Sequence, residues 1–402
     1  MILFLKRRFL NPLKEFIHDS RAIGIILLSC TVVSMILANL GHFGESYINF
    51  WENHFDGTKS HHLHIGFLSL PNSLLLIIND AFMAIFFFLA GLEIKRELKM
   101  GELSSIKTAV LPIAGALGGM LVPAVIYMLI NKGTPEAHGW GIPMATDIAF
   151  SLGVASLLGN RVPFALKVFL TALAIIDDLG AIVVIALFYG DSIHWGYFAG
   201  AASAIGFLYL LNKRQVSLGI WHALFGAILW YCTFNSGIHA TIAGVIFAFM
   251  IPIKYIKRLE MALHNWVYFF VMPIFAMANT AIPVSSEAAA GVMNSKVSWG
   301  IMLGLFLGKP LGIYAACKIL VQAKLADLPK NSNWYGLIGA GILAGIGFTM
   351  SIFIATLAFK DVTTQNIAKM AVLLASITAI IVAILWLNRN KPIEPELISD
   401  DE

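Results

Sequence analysis

The sequence predicts an all-α polytopic membrane protein, and three observations lead to this fold class. The 402 residues are 58% hydrophobic and only 12% charged, with a mean hydropathy of +0.81. This composition lies far from that of a soluble domain. Apolar segments long enough to cross about 30 Å of hydrocarbon as helices recur along nearly the whole chain. These segments lack the period-two alternation of membrane strands, which excludes a closed β-barrel.

The pattern predicts about 12 transmembrane helices in a single transmembrane domain covering residues 1–402. The predicted spans are 22–41, 73–94, 108–131, 141–158, 164–189, 194–212, 218–234, 238–253, 265–283, 297–317, 334–356 and 369–388. Residues 1–21 are basic and precede a full-length span without a small-residue cleavage site, so we interpret them as a retained cytoplasmic arm. Residues 389–402 form the predicted cytoplasmic tail.

The distribution of basic residues supports this topology. With the arm inside and sides alternating, 21 of the 27 Lys and Arg residues fall in cytoplasmic segments, five on the far side and one, Lys309, in a span. Both termini are then cytoplasmic. The net charge of +4 reflects this asymmetry and does not indicate a nucleic-acid surface. The three cysteines lie in apolar segments without metal spacing, which favours a packing role.

One long loop, residues 42–72, is expected on the outer face. Its runs Tyr47–Phe55 and His62–Leu70 are compatible with a hairpin. Metal binding by the cluster of His61, His62 and His64 is one hypothesis for this loop, and an ordinary polar loop is the other. No Cys or carboxylate stands at ligand spacing, which favours a polar loop.

Two adjacent acids, Asp177 and Asp178, lie in the middle of the fifth span. One Asp at a helix centre costs roughly 3 kcal/mol on insertion scales, so a functional role is favoured over a purely structural polar network. Adjacent side chains diverge by about 100°, which allows one acid to face a partner helix and the other a cavity. A buried carboxylate that takes up a proton near neutral pH can also exchange it for a hard cation.

The fourth span is short and contains Pro143 just before Thr146 and Asp147. We predict that this helix is discontinuous, because unwound backbone in a membrane is tolerated where it is buried in protein or lines a cavity. Asp147 can then offset the dipole of a facing half-helix N-terminus. The alternative is a proline-kinked packing helix with an incidental acid.

The tenth and eleventh spans carry the remaining signals. Gly300, Gly304, Gly308 and Gly312 recur every four residues and predict a smooth face for close packing. Lys309 lies deep in the same span and needs a counter-ion, for which Asp177, Asp178 and Asp147 are the candidates; snorkelling to an interface is the alternative. The eleventh span is rich in glycine before Thr349 and is predicted to be the second discontinuous helix.

These two interrupted helices are each the middle of a trio, spans 3–5 and 10–12. An offset of seven spans makes the trios enter the membrane from opposite sides, which predicts inverted repeats with a site at the midplane. The repeat rests on topology and glycine placement, because direct sequence similarity between the trios is faint.

Five motifs resemble the NhaA family of sodium/proton antiporters. They are Asp177-Asp178, the block around Thr146-Asp147, Leu-Gly-Lys309-Pro310-Leu-Gly, Ser236-Gly-Ile-His239-Ala-Thr-Ile-Ala-Gly and Gly345-Ile-Gly-Phe-Thr-Met-Ser351. The resemblance covers about residues 20 to 390. Inverted repeats of this kind are known from this family itself, so the repeat argument and the resemblance are not independent of each other.

The resemblance implies an electrogenic exchanger of a bacterial inner membrane that expels sodium or lithium by taking up more protons per cycle. Asp178 would be the main ligand of the transported sodium or lithium ion, Asp177 its partner and the salt-bridge mate of Lys309, with Thr146 and Asp147 at the crossing. Asp80 matches an auxiliary or structural acid. No cofactor is expected. The loop 42–72 corresponds to an outer hairpin that implies a homodimer.

Matching positions also imply pH regulation at the cytoplasmic ends of the helices. They are Glu93, Glu97, Lys257, Arg258, Glu260 and His264, together with His239 in the eighth span. Histidine suits a response near neutral pH. His239 is equally compatible with a hydrogen-bonded packing role. The chain departs from the family pattern at Met261 and Asn265, where histidine and proline are common.

Two other classes compete with the exchanger. An intramembrane aspartyl protease uses two acids on facing helices around one water, whereas Asp177 and Asp178 diverge on one helix. A proton-coupled transporter of a small organic anion is the nearer alternative, because half-helix N-termini and Lys309 can hold a carboxylate.

Overall fold

The computed structural model describes residues 20–58, 60–66, 68–190, 192–284 and 286–390. Residues 1–19 of the predicted arm and 391–402 of the predicted tail lie outside these ranges. The described helices are α1 (Ser20–Ala38), α2 (Gly41–Glu52), α3 (Leu74–Met100), α4 (Ile106–Ile130), α5a (Pro135–Met144, a 3-10 helix), α5b (Ile148–Leu157), α6 (Phe164–Phe188), α7 (Trp195–Lys213), α8 (Ile220–Asn235), α9 (Ile242–Met250), α10 (Ile253–Asn279), α11 (Ser286–Asn294), α12 (Lys296–Gln322), α13a (Trp334–Ala344), α13b (Phe348–Ala358) and α14 (Val362–Leu387).

The predicted all-α membrane fold is confirmed. Within the described ranges, six helices are long and apolar enough to cross a membrane, namely α3, α4, α6, α10, α12 and α14. The number rises to at most nine when each of three bent helix pairs counts as one span. Length and composition therefore do not establish twelve spans, because α8 has 16 residues and α9 only nine.

The starts of α10 and α9 differ from those of the predicted spans. α10 begins at Ile253, twelve residues before the predicted bound, because the amphipathic segment Ile253–Trp266 continues through a π-helical turn into the apolar segment. α9 begins at Ile242, because residues 236–241 form turns. This irregular stretch contains His239.

The outer loop contains the predicted hairpin, but with different strands. His62–Ile65 (β1) pairs antiparallel with Leu68–Pro71 (β2), with His64 opposite Ser69. The predicted pairing with the run 47–55 is wrong, because most of that run belongs to α2, which buries Tyr47 and Trp51. Periodicity over such a short run did not distinguish a helix from a strand.

Side-chain hydrogen bonds fix this loop. Ser69 N donates to Tyr231 Oη at 3.2 Å, and Asn235 Nδ2 donates to Ser69 O at 3.3 Å, so the hairpin is held to the end of α8. The Asn72 side chain donates to Asp56 and, with the Thr58 backbone amide, holds the pKa of that carboxyl below its usual value.

The four regularly spaced glycines of α12 face its closest neighbours, as the spacing predicts. The tightest approach joins α12 to α4, where a Cβ on Gly312 would lie 2.1 Å from Gly118 O and a Cβ on Gly118 would lie 2.2 Å from Gly312 O. Small residues allow such backbone contact between membrane helices. This contact holds the helix that carries Lys309 against α4.

Replacing Gly312 with alanine is expected to lower the Tm of the purified protein by several degrees, because overpacking a tight contact costs about 1 to 3 kcal/mol. Gly206→Ala in α7 is the matched control, because a Cβ there meets no heavy atom within 4 Å. Thermal unfolding in detergent measures both variants. An equal Tm for Gly312→Ala and Gly206→Ala would contradict the packing argument.

Candidate functional site

Two interrupted helices cross at the centre of the bundle. The pair α5a and α5b bends by 42° at residues 145–147, and α13a and α13b bend by 46° at residues 345–347. The two breaks are joined directly, because Asp147 N donates to Ile346 O at 2.7 Å. The structure therefore places the predicted interruptions side by side.

Each interrupted helix satisfies backbone groups of the other. Ser151 Oγ in α5b donates to Leu343 O near the end of α13a at 2.8 Å. In the mirrored arrangement, Ser351 Oγ in α13b donates to Ile142 O in α5a at 2.8 Å. Helix ends leave carbonyls without intrahelical partners, and a buried carbonyl without a partner is costly. The crossing therefore supplies a hydrogen-bond donor for a buried carbonyl in each of the two helices.

Asp147 lies between two half-helix N-termini. Its Oδ1 accepts from Phe150 N at 3.1 Å and caps α5b. Its Oδ2 accepts from Thr349 N at 3.2 Å and from the Thr349 hydroxyl, at the start of α13b. A carboxylate is stabilised by the positive end of a helix dipole, and here two such ends face one acid. The expected position of Asp147 agrees with the structure.

Lys309 forms a buried ion pair with Asp177. The ammonium contacts Asp177 Oδ2 and donates to Thr146 Oγ1 at 2.8 Å. The Thr146 hydroxyl lies 2.7 Å from Asp177 Oδ2 and 2.9 Å from Ala344 O, so its single proton is shared between two acceptors. The side chains of Lys309 and Asp177 are fully buried, which excludes snorkelling.

Two carboxylate oxygens at this centre are buried without a hydrogen-bond partner among the described residues. They are Asp177 Oδ1 and Asp178 Oδ1. Asp178 interacts electrostatically with the charges of Asp177, Asp147 and Glu93, as well as with Lys309. A buried polar atom without a partner is expensive, so these two oxygens mark where a proton or cation would bind.

A second charged cluster lies between α3 and the start of α10. Arg96 bonds Glu260 Oε2 at 2.9 Å and Glu97 Oε1 at 3.1 Å, and the charges of all three act on Glu93. Glu260 is buried. Three other proposed pH-response residues of α10 are exposed, namely Lys257, Arg258 and His264. Of the predicted pH-response residues, the structure thus brings Glu93, Glu97 and Glu260 together around Arg96.

The turn between α9 and α10 is held by side chains from two other helices. Lys95 Nζ donates to Phe249 O at 2.7 Å and to Ile251 O at 2.5 Å. Asn212 Nδ2 in α7 donates to the intervening carbonyl of Met250 at 3.2 Å. The Lys95 ammonium therefore lies at the C-terminal end of α9, where the helix dipole favours a positive charge.

The third group of predicted residues is separate from the centre. His239 Nδ1 lies 3.9 Å from Asp80 Oδ1, and the His239 ring packs edge-on against Phe353. Asp80 occupies a π-helical turn at Ile78–Phe82, and its carbonyl accepts from Trp230 Nε1 at 3.0 Å. Among the described residues, which include His61, His62 and His64, no group of three or more His, Cys, Asp or Glu side chains has an arrangement that could hold a metal ion.

Several residues of the centre were not assigned to it by the sequence. Thr349 bonds Asp147, and Ser151 and Ser351 bond the opposite helix. The sequence does carry a signal for these three residues, namely the short polar motif that follows each glycine- or proline-containing break. Only the crossing in three dimensions shows that the Thr349 hydroxyl of one motif bonds the acid of the other.

The architecture and this centre define a polytopic membrane protein with a buried carboxylate–ammonium cluster at the crossing of two broken helices. The model of the family described as Na+/H+ antiporter 1 matches residues 14–387, and the chain belongs to that family.

Named relatives are similar over nearly their whole length. The Na(+)/H(+) antiporter NhaA of Cytophaga hutchinsonii is 47% identical over 396 residues, 96% of this chain and 98% of the relative. The protein of the same name in Flavobacterium psychrophilum is 46% identical over 374 residues, 91% and 93% of the two chains. That of Escherichia coli O6:H1 is 45% identical over 388 residues, 94% and 98% of the two chains.

Replacing Thr349 with valine is expected to lower the thermal stability of the purified protein. Asp147 loses a hydroxyl donor, and a hydrogen bond to a charged group contributes about 1.5 to 3 kcal/mol. Thr349→Ser keeps the hydroxyl and should stay near the wild type. Thermal unfolding in detergent compares the three proteins, and equal stability of the valine and serine variants would rule out this role of the hydroxyl.

Proposed function

We propose that this chain is a sodium/proton antiporter of a bacterial cytoplasmic membrane, in which Asp178 and Asp177 take either a sodium or lithium ion or protons. The main support for this proposal is the pair of buried oxygens Asp177 Oδ1 and Asp178 Oδ1, which have no hydrogen-bond partner among the described residues. Membership of the Na+/H+ antiporter 1 family supports this function. Sodium is cargo in this proposal, and no resident cofactor takes part.

Competition for the same oxygens couples the two ions. A proton and a hard cation both require carboxylate oxygens, so occupancy by one excludes the other. Thr146 and Asp147 complete the polar wall of the site. Alternating access to the two sides of the membrane then converts the proton gradient into sodium export.

Lys309 is the proposed carrier of a second proton. Its ammonium is neutralised by Asp177 in the described structure. A sodium ion bound by Asp177 and Asp178 would take up the negative charge that neutralises Lys309, and an ammonium left without a counter-charge in a buried site is unfavourable. Release of the Lys309 proton on sodium binding gives more protons than sodium ions per cycle, so the exchange is electrogenic.

The two competing classes fit the geometry less well. Asp147 accepts from both half-helix N-termini, which leaves neither terminus for the carboxylate of an organic anion. Asp177 is paired with Lys309, whereas the acids of an aspartyl protease share a proton around one water. We therefore propose transport without covalent chemistry.

Twelve spans and inverted repeats are part of the proposal. The six single spans, the two broken helices α5 and α13, and the helices α1, α7, α8 and α9 make twelve crossings, with both termini cytoplasmic. The reciprocal bonds of Ser151 and Ser351 support an inverted relation between spans 3–5 and 10–12.

The proposed homodimer forms through the loop 42–72. This segment exposes apolar side chains that the described chain does not cover, namely Phe43, Phe50, Ile65 and Leu68. Exposed apolar side chains on an outer-face loop are typical of an interaction surface.

Asp178→Asn is expected to abolish exchange while the protein still folds, because an amide cannot bind a proton or balance a cation at neutral pH. Asp361→Asn is the control, since Asp361 is an exposed helix cap and asparagine caps helices equally well. The assay follows proton movement in everted vesicles on addition of sodium, lithium or potassium between pH 6 and 9. Retained exchange in folded Asp178→Asn would refute the site. Proton-coupled uptake of a labelled organic acid without a sodium response would favour the alternative.

pH regulation is proposed to reside in Glu93, Glu97, Lys257, Arg258, Glu260 and His264, with His239 as a separate response residue beside the auxiliary acid Asp80. Removing the guanidinium that bonds two of these acids, in Arg96→Gln, should move the exchange profile to more alkaline pH by roughly 0.7 pH unit at most. The basis is that a partly exposed ion pair contributes up to about 1 kcal/mol. Lys99→Gln, an equal charge loss on the exposed side of α3, should leave the profile in place. Identical shifts in both variants would indicate a general charge effect.

A further inference from the structure

A tyrosine of α10 occupies the same kind of backbone position as two charged residues already described. Among the described residues, π-helical turns occur at Ile78–Phe82, Val267–Val271 and Gly304–Gly308. Asp80 lies in the first of these turns, and Lys309 directly follows the last. The middle turn contains Tyr268. Because π-helical turns are rare and are frequently found at functional sites, this position marks Tyr268 for closer attention.

The Tyr268 side chain lies on the buried side of α10. Tyr268 is 9% exposed, whereas His264 and Trp266 on the same helix are exposed. The Tyr268 ring packs on the imidazole of His264, with 4.6 Å between the ring centroids. The π-helical turn packs against α3, and α3 also packs against α6, the helix of the acid pair. The tyrosine is therefore enclosed where α10 meets the helix that carries Glu93.

Three carboxylates interact electrostatically with Tyr268, namely those of Glu93, Asp178 and Asp147. Glu93 belongs to the charged cluster of α3 and α10, and the other two acids belong to the crossing. Tyr268 follows Glu260 of that cluster by eight residues, or roughly 12 Å along the helix. The tyrosine thus lies between the charged cluster and the acid pair.

The Tyr268 hydroxyl has no hydrogen bond to any other residue in the part of the chain that the structure describes. A buried tyrosine hydroxyl usually has a partner, so this one is available to a ligand. Its oxygen has two lone pairs, and the group is uncharged at the pH of a cell. Such an oxygen can replace a water molecule around a hard cation, which prefers oxygen ligands.

We propose that the Tyr268 hydroxyl is an oxygen ligand of the cation as it passes between Glu93 and Asp178, and that it raises the apparent affinity for sodium and lithium. The inference rests on the proposed function. The tyrosine keeps its proton throughout, and the exchangeable protons stay with the groups named above. A neutral ligand on this route offsets part of the lost hydration without holding the ion as firmly as a carboxylate would.

Tyr268→Phe removes the hydroxyl and keeps the ring that packs on His264, so this variant should fold. Exchange is measured in everted vesicles at alkaline pH, where protons compete least, with sodium or lithium varied. We expect the KM for both ions to rise at least about threefold, as for the loss of one uncharged ligand, with the maximal rate near that of the wild type. Tyr209→Phe, on the exposed side of α7, is the matched control and should keep the wild-type KM.

A second measurement reports cation binding without transport. The Tm of the purified protein should rise with sodium relative to choline at equal ionic strength, because a bound ion stabilises the folded state. Tyr268→Phe should need at least about threefold more sodium for the same rise. A wild type that shows this rise but does not exchange sodium would refute the proposed function alone, and Tyr268 would still be tested by the thermal assay.

The remaining outcomes decide against the ligand role. An unchanged KM and an unchanged sodium dependence of the Tm in folded Tyr268→Phe would overturn the proposal, as would equal changes in Tyr209→Phe. A lower KM would show that the hydroxyl competes with the cation for the acids. Loss of folding in Tyr268→Phe would assign the hydroxyl to packing instead.

Discussion

The structure depends on the mutual satisfaction of two broken helices. A break inside a membrane protein exposes amides and carbonyls that lipid cannot bond, so an isolated broken helix would be unstable. Here the bond from Asp147 N to Ile346 O and the reciprocal bonds of Ser151 and Ser351 supply the missing partners. Neither break is viable without the other. The crossing is thus a structural necessity, and it also leaves buried polar groups at the centre of the bundle.

The charges at the crossing are stabilised to different degrees. The Asp147 carboxylate accepts three hydrogen bonds, from Phe150 N, Thr349 N and the Thr349 hydroxyl, whereas Asp178 Oδ1 has no hydrogen-bond partner among the described residues. Asp177 is intermediate, because Oδ2 meets Lys309 and Thr146 while Oδ1 has no partner. A buried ion pair contributes little net stability, and its attraction is lost when one partner is neutralised. This graded arrangement separates one acid with a fully bonded carboxylate, Asp147, from two acids that each keep an oxygen without a partner among the described residues.

Much of this organisation could be predicted from the sequence, because its causes are local. Hydropathy predicts membrane helices, Pro143 and the glycines of the eleventh span predict breaks, and a lone buried Lys309 requires an acid. The interhelical partners could not be predicted. The bond between Thr349 and Asp147 joins residues 202 positions apart, and the Lys95 contacts depend on where α9 ends. The run that forms most of α2 was predicted to be part of a hairpin, because the sequence alone does not show that Tyr47 and Trp51 are buried by tertiary contacts.

The same helices link the centre to one surface of the helix bundle. Asp177 lies 14 residues after Pro163, which at 1.5 Å per residue is about 21 Å along α6. Half of the hydrocarbon layer is about 15 Å thick, so an acid at the midplane places the start of α6 at the headgroup level. α13a also begins and α14 ends at this surface, where Arg161 bonds Asn388 Oδ1 and Tyr335 Oη donates to Trp386 O. The helix that carries the acid pair and one half of the crossing are therefore held together at their ends, far from the carboxylate oxygens that lack partners.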